Sequence, residues 1–192
     1  MTRKYFQIFL LSLLFVSCAS VPKYSYDFPL SSEKIISIDN TLQARIPSGW
    51  FVATDTSLIQ KFLFLLISER YTSTISLEEI KVDRATESRI NDDGLRFLSE
   101  ISLAFKKASA PSYFFSTKAQ IFSIDNQEYC GYEYYDDKLS NRTRVIVFRI
   151  NDRFFECSAT PISGPWYETD LKKLYTAMHA FLKSLQAVNP TL

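Results

Sequence analysis

The chain has 192 residues, 22 of them basic and 21 acidic, with 46% hydrophobic and 15% aromatic residues and a single histidine. That length supports one domain with a sizeable core. Its Lys and Arg residues fall in short groups such as "FKK", "LKKL" and "RTR", which excludes the clustered basic face of a nucleic-acid binder.

The first residues fall into three zones. Arg3 and Lys4 give a positive start, Tyr5 to Val16 are mostly apolar, and Ser17, Cys18, Ala19 and Ser20 are small, with Pro22 behind them. This is the layout of an export signal. A twelve-residue apolar helix is about 18 Å long, well short of a hydrocarbon core of about 30 Å, so it does not read as a permanent span. The stretch "FVSCAS" resembles the lipobox of bacterial lipoproteins, with Phe15 where leucine is usual and small residues at Ser17 and Ala19. The resemblance implies cleavage before Cys18, a diacylglycerol thioether on its sulfur and acylation of the new terminus. Two or more acyl chains anchor a protein stably, at about 0.8 kcal/mol per buried CH₂. Ala19 puts no acidic residue beside the anchor, which implies an outer membrane and a periplasmic face in a diderm host. A soluble secretory signal and a buried terminal helix are the alternatives. Loss of residues 1–17 removes Arg3 and Lys4, leaving the basic residues one short of the acidic ones.

Residues 18–40 read as a lipid-proximal tether whose end, "KIISI", has the look of an edge strand. Residues 41–188 read as a single domain, and 189–192 as a tail. No repeat or second core divides them. "LQARIPSGWFVATD" gives two short strands around "PSG", where Pro47 restrains the chain and Gly49 permits a turn. Trp50 reads as a core anchor. "KFLFLLISERY" and "TSTISLEEIKV" read as paired strands with Glu69 and Arg70 near the turn. Ile75 and Leu77 share a face, and the change of parity at Ile80 and Val82 calls for a bulge or a new partner.

The period then changes. Leu95, Leu98, Ile101 and Phe105 predict one amphipathic helix, with Asn91 or Asp92 as its N-cap. "AQIFSID" and "EYCGYEYYD" flank Asn126-Gln127, and "TRVIVFRI" turns at Asn151-Asp152 into "RFFECSA". A last helix over about 170–187 carries Leu171, Leu174, Met178, Leu182 and Leu185 on its apolar stripe. The fold class is therefore α+β, an antiparallel sheet covered by helices. "RIPSGW", the strand pair after it, the middle helix, "EYCGYEYY", "RVIVFRINDRFFECSA" and the final helix together resemble the PsbP-like fold, over about residues 42–187. That fold, an α/β/α sandwich, also occurs in DcrB-type bacterial envelope lipoproteins. The resemblance implies an envelope accessory or binding domain and supplies no active site.

Chemistry-bearing residues are sparse. Cys130 and Cys157 are candidates for a disulfide in an oxidising envelope. With a strand between theirs, however, the Cα separation approaches 9.6 Å, beyond the roughly 7 Å a disulfide allows. Separate thiols are the expected state. His179 lacks a Cys/His cluster that would make a metal site, and its expected place is the edge of the last helix. Glu78-Glu79 and Asp136-Asp137 point to opposite faces if extended. No G-x-S-x-G elbow or phosphate-binding glycine loop is present. No catalytic residue, metal or cofactor is therefore expected. Tyr113, Tyr132, Tyr134 and Tyr135 form the candidate interaction surface, because aromatic rings give large contact areas at limited entropy cost. The expected function is a lipid-anchored, non-catalytic envelope protein that binds or supports another envelope component. A small apolar-ligand carrier is the alternative, and a hydrolase whose site the sequence does not display comes third. The expected partners are the membrane, through the lipid, and an envelope protein.

Overall fold

The computed structural model describes residues 27–54, 61–110, 114–136, 142–162 and 166–188. Cys18 and its flanking export-signal residues lie outside these ranges, as do Tyr113 and Asp137. The described chain runs β1 (Leu30–Ile36), β2 (Leu42–Pro47), β3 (Trp50–Val52), β4 (Phe64–Ser68), β5 (Ser73–Ile80), α1 (Arg84–Asp93), α2 (Leu95–Ser109), β6 (Phe114–Ser116) and β7 (Gln120–Ile124). It continues with β8 (Gln127–Asp136), β9 (Arg142–Ile150), β10 (Arg153–Pro161), α3 (Glu168–Ser184) and β11 (Gln186–Ala187). A large sheet has the order β3-β4-β5-β10-β9-β8-β6, with β7 also paired to β8; β1, β2 and β11 form a small one. Every described pairing is antiparallel.

Register assigns each side chain of the central strands to one of two cores. Leu77, Cys157, Ile146 and Gly131 lie opposite one another across four strands, and the next row is Glu78, Glu156, Val147 and Cys130. Successive residues alternate faces. The first row therefore joins the main core with Phe148, Phe155 and the apolar side of α3. The second faces α1 and α2, where Cys130, Val147 and Phe154 pack with Ile90, Leu95 and Leu98. Ile80 belongs to this second core too, and β5 stays in register with β10 through Ile80, opposite Phe154. The expected bulge is absent because both faces of the sheet are covered, so an apolar residue of either parity is buried.

On the first face the cover is composite. α3 packs against β10 of the large sheet and β2 of the small one, and residues 174–182 are buried without interruption. A helix covered on all sides needs more than one apolar stripe; Ala177 and Ala180 keep its flanks narrow. Arg153 ties the sheets together, donating to Asp39 Oδ2 at 2.7 Å and to Glu79 Oε2 at 2.8 Å. The hairpin turns are local. Asn151 takes a left-handed φ of 53°, at the expected Asn151-Asp152 turn. The turn between β7 and β8 is Asp125-Asn126, one residue earlier than the expected Asn126-Gln127. Both its residues have positive φ, as a two-residue turn of the primed kind requires.

The middle helical region is two helices rather than one. Gly94 interrupts it at φ 75°, a conformation that costs glycine little. α1 is capped by Asp83, whose Oδ1 accepts from Thr86 N at 2.8 Å; Asn91 and Asp92 lie inside it and cap nothing. Ile90 is its sole buried residue, so it shows no apolar period. Arg89 instead bonds Asp93 and covers the Phe97 ring at 4.5 Å.

Gly131 leaves little room for a side chain. A Cβ there would lie 3.2 Å from the Phe122 ring, 3.3 Å from Ile146 Cγ1 and 3.3 Å from Val145 O. Gly131→Val is expected to destabilise the domain by about 1–3 kcal/mol, read as a lowered denaturation midpoint. An unchanged midpoint would contradict this packing.

Candidate interaction surface

The second core contains a charged group that dictates how α2 sits. Glu156 is buried, directly opposite Glu78 on β5, and like charges facing across strands repel. Lys106 Nζ reaches Glu156 Oε1 at 2.7 Å. Ser102 Oγ donates to Oε2, and Ser158 Oγ to Oε1 at 3.3 Å. Ser102 also lies 2.7 Å from the Tyr132 hydroxyl. Burial alone would lower the Lys106 pKa, but the Glu156 carboxylate outweighs it and the net shift is upward. Burial first, and Glu156 second, push Glu78 up. The lysine is thus held charged, as a structural counter-ion and not as a base.

This cluster explains the phase of α2. Its buried residues are Leu95, Leu98, Ser99 and Ser102, where the apolar pattern predicted Leu95, Leu98, Ile101 and Phe105. Ile101 is half-buried and Phe105 is 71% exposed. A buried carboxylate without partners costs several kcal/mol, so the helix turns Ser102 and Lys106 inward and leaves Phe105 in water.

The first face carries a second buried network. Glu133 receives Arg144 at 3.2 Å and Arg142 at 3.3 Å; Arg142 reaches on to Glu168, and the Tyr175 hydroxyl donates to Arg142 O at 2.6 Å. His179 is buried here rather than at the helix edge. Its ring stacks on Phe122 at 5.5 Å, and Arg144 Nε donates to its Nε2 at 3.3 Å. Burial, then the adjacent Arg144 guanidinium, lowers its pKa to about 3. A neutral imidazole accepting from arginine in a closed core is a packing element.

The sequence-derived site residues separate. Tyr132 is 1% exposed, so it leaves the candidate surface: its hydroxyl is spent on Ser102. Tyr134 and Tyr135 are half-buried, on opposite faces of β8. Cys130 and Cys157 are free thiols. Their strands flank β9 and their side chains enter different cores, so no disulfide joins them. Burial pushes both thiols up, away from reactive thiolate. Glu78 and Glu79 diverge as alternation requires, toward Glu156 and Arg153 respectively. Among the described residues no group of three or more His, Cys, Asp or Glu could hold a metal, and no helix is long and apolar enough to cross a membrane.

What stays available is at the periphery. β6 and β7 run end to end along the outer side of β8 and form an edge of the large sheet. They expose Phe115 at 57% and Ile121 at 44%. Phe115 lies opposite Tyr135, and Phe114 stacks on Tyr134 at 5.5 Å. The exposure of Phe115 and Ile121 follows from edge position, which periodicity alone does not reveal. At one end of the sheet, Phe28, Trp50 and Trp166 line a cleft of about 280 Å³.

This architecture is found in solved structures. PsbP (CyanoP) of the cyanobacterium Synechocystis sp. PCC 6803 is similar, with a TM-score of 0.51 and 14% identity, over 91% of this chain and 99% of that one. The Ran-binding protein Mog1p of Saccharomyces cerevisiae is similar, with a TM-score of 0.51 and 10% identity, over 84% and 97%. The domain has the PsbP-like fold. At such identities the likeness concerns fold alone. No family model and no curated protein matches the sequence.

Because the unfolded chain protonates His179 near pH 6.5 and the folded chain only near pH 3, acid favours unfolding. Its contribution is complete above about pH 6.5 and is lost as pH falls, by about 1.4 kcal/mol per unit. His179→Gln, which keeps an acceptor for Arg144, is expected to give a shallower loss of stability between about pH 6.5 and 4.5. Equal pH dependence of stability in both proteins, read from urea titrations at each pH, would contradict a neutral buried imidazole.

Proposed function

We propose that this protein is a lipid-anchored, non-catalytic accessory of a bacterial envelope, and that it binds another envelope protein along the β6–β7 edge. One observation carries the binding part. The interior polar groups described above are engaged in holding helices to the sheet, whereas β6 and β7 border the large sheet among the described residues and expose Phe115 and Ile121. Exposed sheet edges with apolar side chains are sites where an extended segment can add as a further strand. A fold shared with a Ran-binding protein is consistent with such a role. The anchor rests on Arg3 and Lys4, the short apolar run and the Ser17-Cys18-Ala19 exit.

The reading has two separable tests. Intact mass of the native protein is expected to begin at Cys18 with acyl additions; a chain retaining Met1 and lacking them would refute the anchor. After crosslinking in the native envelope, the wild-type protein is expected to recover a reproducible partner. A Phe115→Lys, Ile121→Lys variant with unchanged circular dichroism should recover it at least about tenfold less, the equivalent of about 1.4 kcal/mol. Undiminished recovery would place the partner elsewhere, and no reproducible partner would sink the binding claim.

A small apolar-ligand carrier remains as a second reading because of the Trp50–Trp166 cleft.

A further inference from the structure

The chain enters the domain at an end that gathers Phe28, Trp50 and Trp166. Pro29 O accepts from Ser48 N at 2.8 Å, which fixes the entering segment beside the β2–β3 turn. Two further bonds gather the rest of this end. Glu69 N donates to Gly49 O at 2.9 Å, and Ile162 N to Thr72 O at 2.7 Å. The β4–β5 turn, the end of β10 and the first turn of α3 therefore meet here. The cleft between them is lined by Phe28, Trp50, Trp166 and Leu174 together with polar and charged side chains; the three rings are partly buried against the main core, and both tryptophans of the chain are at this one end. Beside it Tyr71 is 66% exposed, Ile162 54% and Tyr167 72%. Tyr71 is braced edge-on against Phe51 at 5.5 Å.

We infer that this end rests against a lipid surface, with its tryptophan and tyrosine rings at headgroup level. The inference builds on the lipid-anchor reading. Asp27 is nine positions after Cys18, a distance of at most about 30 Å when fully extended. The anchor therefore keeps the aromatic end within that distance of the bilayer, and a short link of this kind gives an effective concentration of about millimolar. Modest intrinsic affinity then suffices for contact. Tryptophan and tyrosine, apolar in body and polar at one tip, favour the membrane–water interface. The charged residues lining the cleft are of both signs: Glu69 and Asp170 against Arg70 and Lys173. A contact made by rings rather than a basic cluster depends little on salt or anionic lipid.

Because the tryptophans occupy the proposed contact, their fluorescence reads it directly. Purified acylated protein, its modification verified by mass, is placed in phosphatidylethanolamine–phosphatidylglycerol vesicles containing a phospholipid brominated on the acyl chain near the glycerol. Strong quenching is expected, retained in high salt and in vesicles without phosphatidylglycerol. It should persist when a Gly-Ser insert of about 20 residues lengthens the link between Pro22 and Lys23. It should be largely lost in a Tyr71→Asp, Ile162→Asp variant, whose exposed positions leave the core intact by circular dichroism. No quenching of the acylated protein, or quenching that vanishes with the longer link, would overturn the docking while leaving the anchor standing. Equal quenching by a monomeric short-chain brominated lipid would replace the bilayer with a small-ligand pocket. A native chain without acyl groups would overturn the anchor and this inference with it.

Discussion

The constraint on which the structure depends is that the central strands of the large sheet are covered on both faces. Once β5, β10, β9 and β8 lie between α1 and α2 on one side and α3 with the small sheet on the other, no side chain in their middle can turn to water. Apolar residues of either parity are then useful, which is why β5 carries Ile75 and Leu77 into one core and Ile80 into the other. Polar residues must bring their partners with them. Glu156 does so through Ser102, Ser158 and Lys106, and Glu133 through Arg142 and Arg144. A burial cost of several kcal/mol for an unmatched ion is larger than the gain from burying one phenylalanine, about 1.5–3 kcal/mol. That inequality sets the rotation of α2 and leaves Phe105 outside.

The same inequality marks what the sequence could and could not reveal. Strands whose patterns answer to local rules were legible: the β9–β10 hairpin at Asn151-Asp152, the β4–β5 pair around Glu69 and Arg70, and the apolar stripe of α3 from Leu171 to Leu182. The α+β class and the PsbP-like fold followed from their order. Features that depend on a distant partner were not legible. The phase of α2 is set by Glu156, 54 positions from Ser102. α1 has a single buried residue and is held by a cap and an arginine. Tyr132 looked like surface because a tyrosine in a strand does not announce whether its hydroxyl is spent.

For function, the consequence is a division between interior and periphery. The described histidine, cysteines and buried acids are consumed by packing and pairing. Among the described residues, exposed apolar side chains include those at the β6–β7 edge and those at the aromatic end beside the entry of the chain. The two are separate features: the edge carries exposed Phe115 and Ile121, and the end carries exposed Tyr71 and Tyr167. An anchored domain with its aromatic end toward the bilayer would leave the β6–β7 edge open at its side, where a neighbouring protein could reach it.

Amide hydrogen exchange on the acylated protein, in its native membrane and after detergent extraction without crosslinking, tests the central claim most directly. Amides within residues 114–124 are expected to exchange more slowly in the membrane, where a partner strand covers them, and to regain fast exchange when the partner is stripped away. Identical exchange at this edge in both states, with protection changing on another surface, would contradict the assignment of the edge as the binding site.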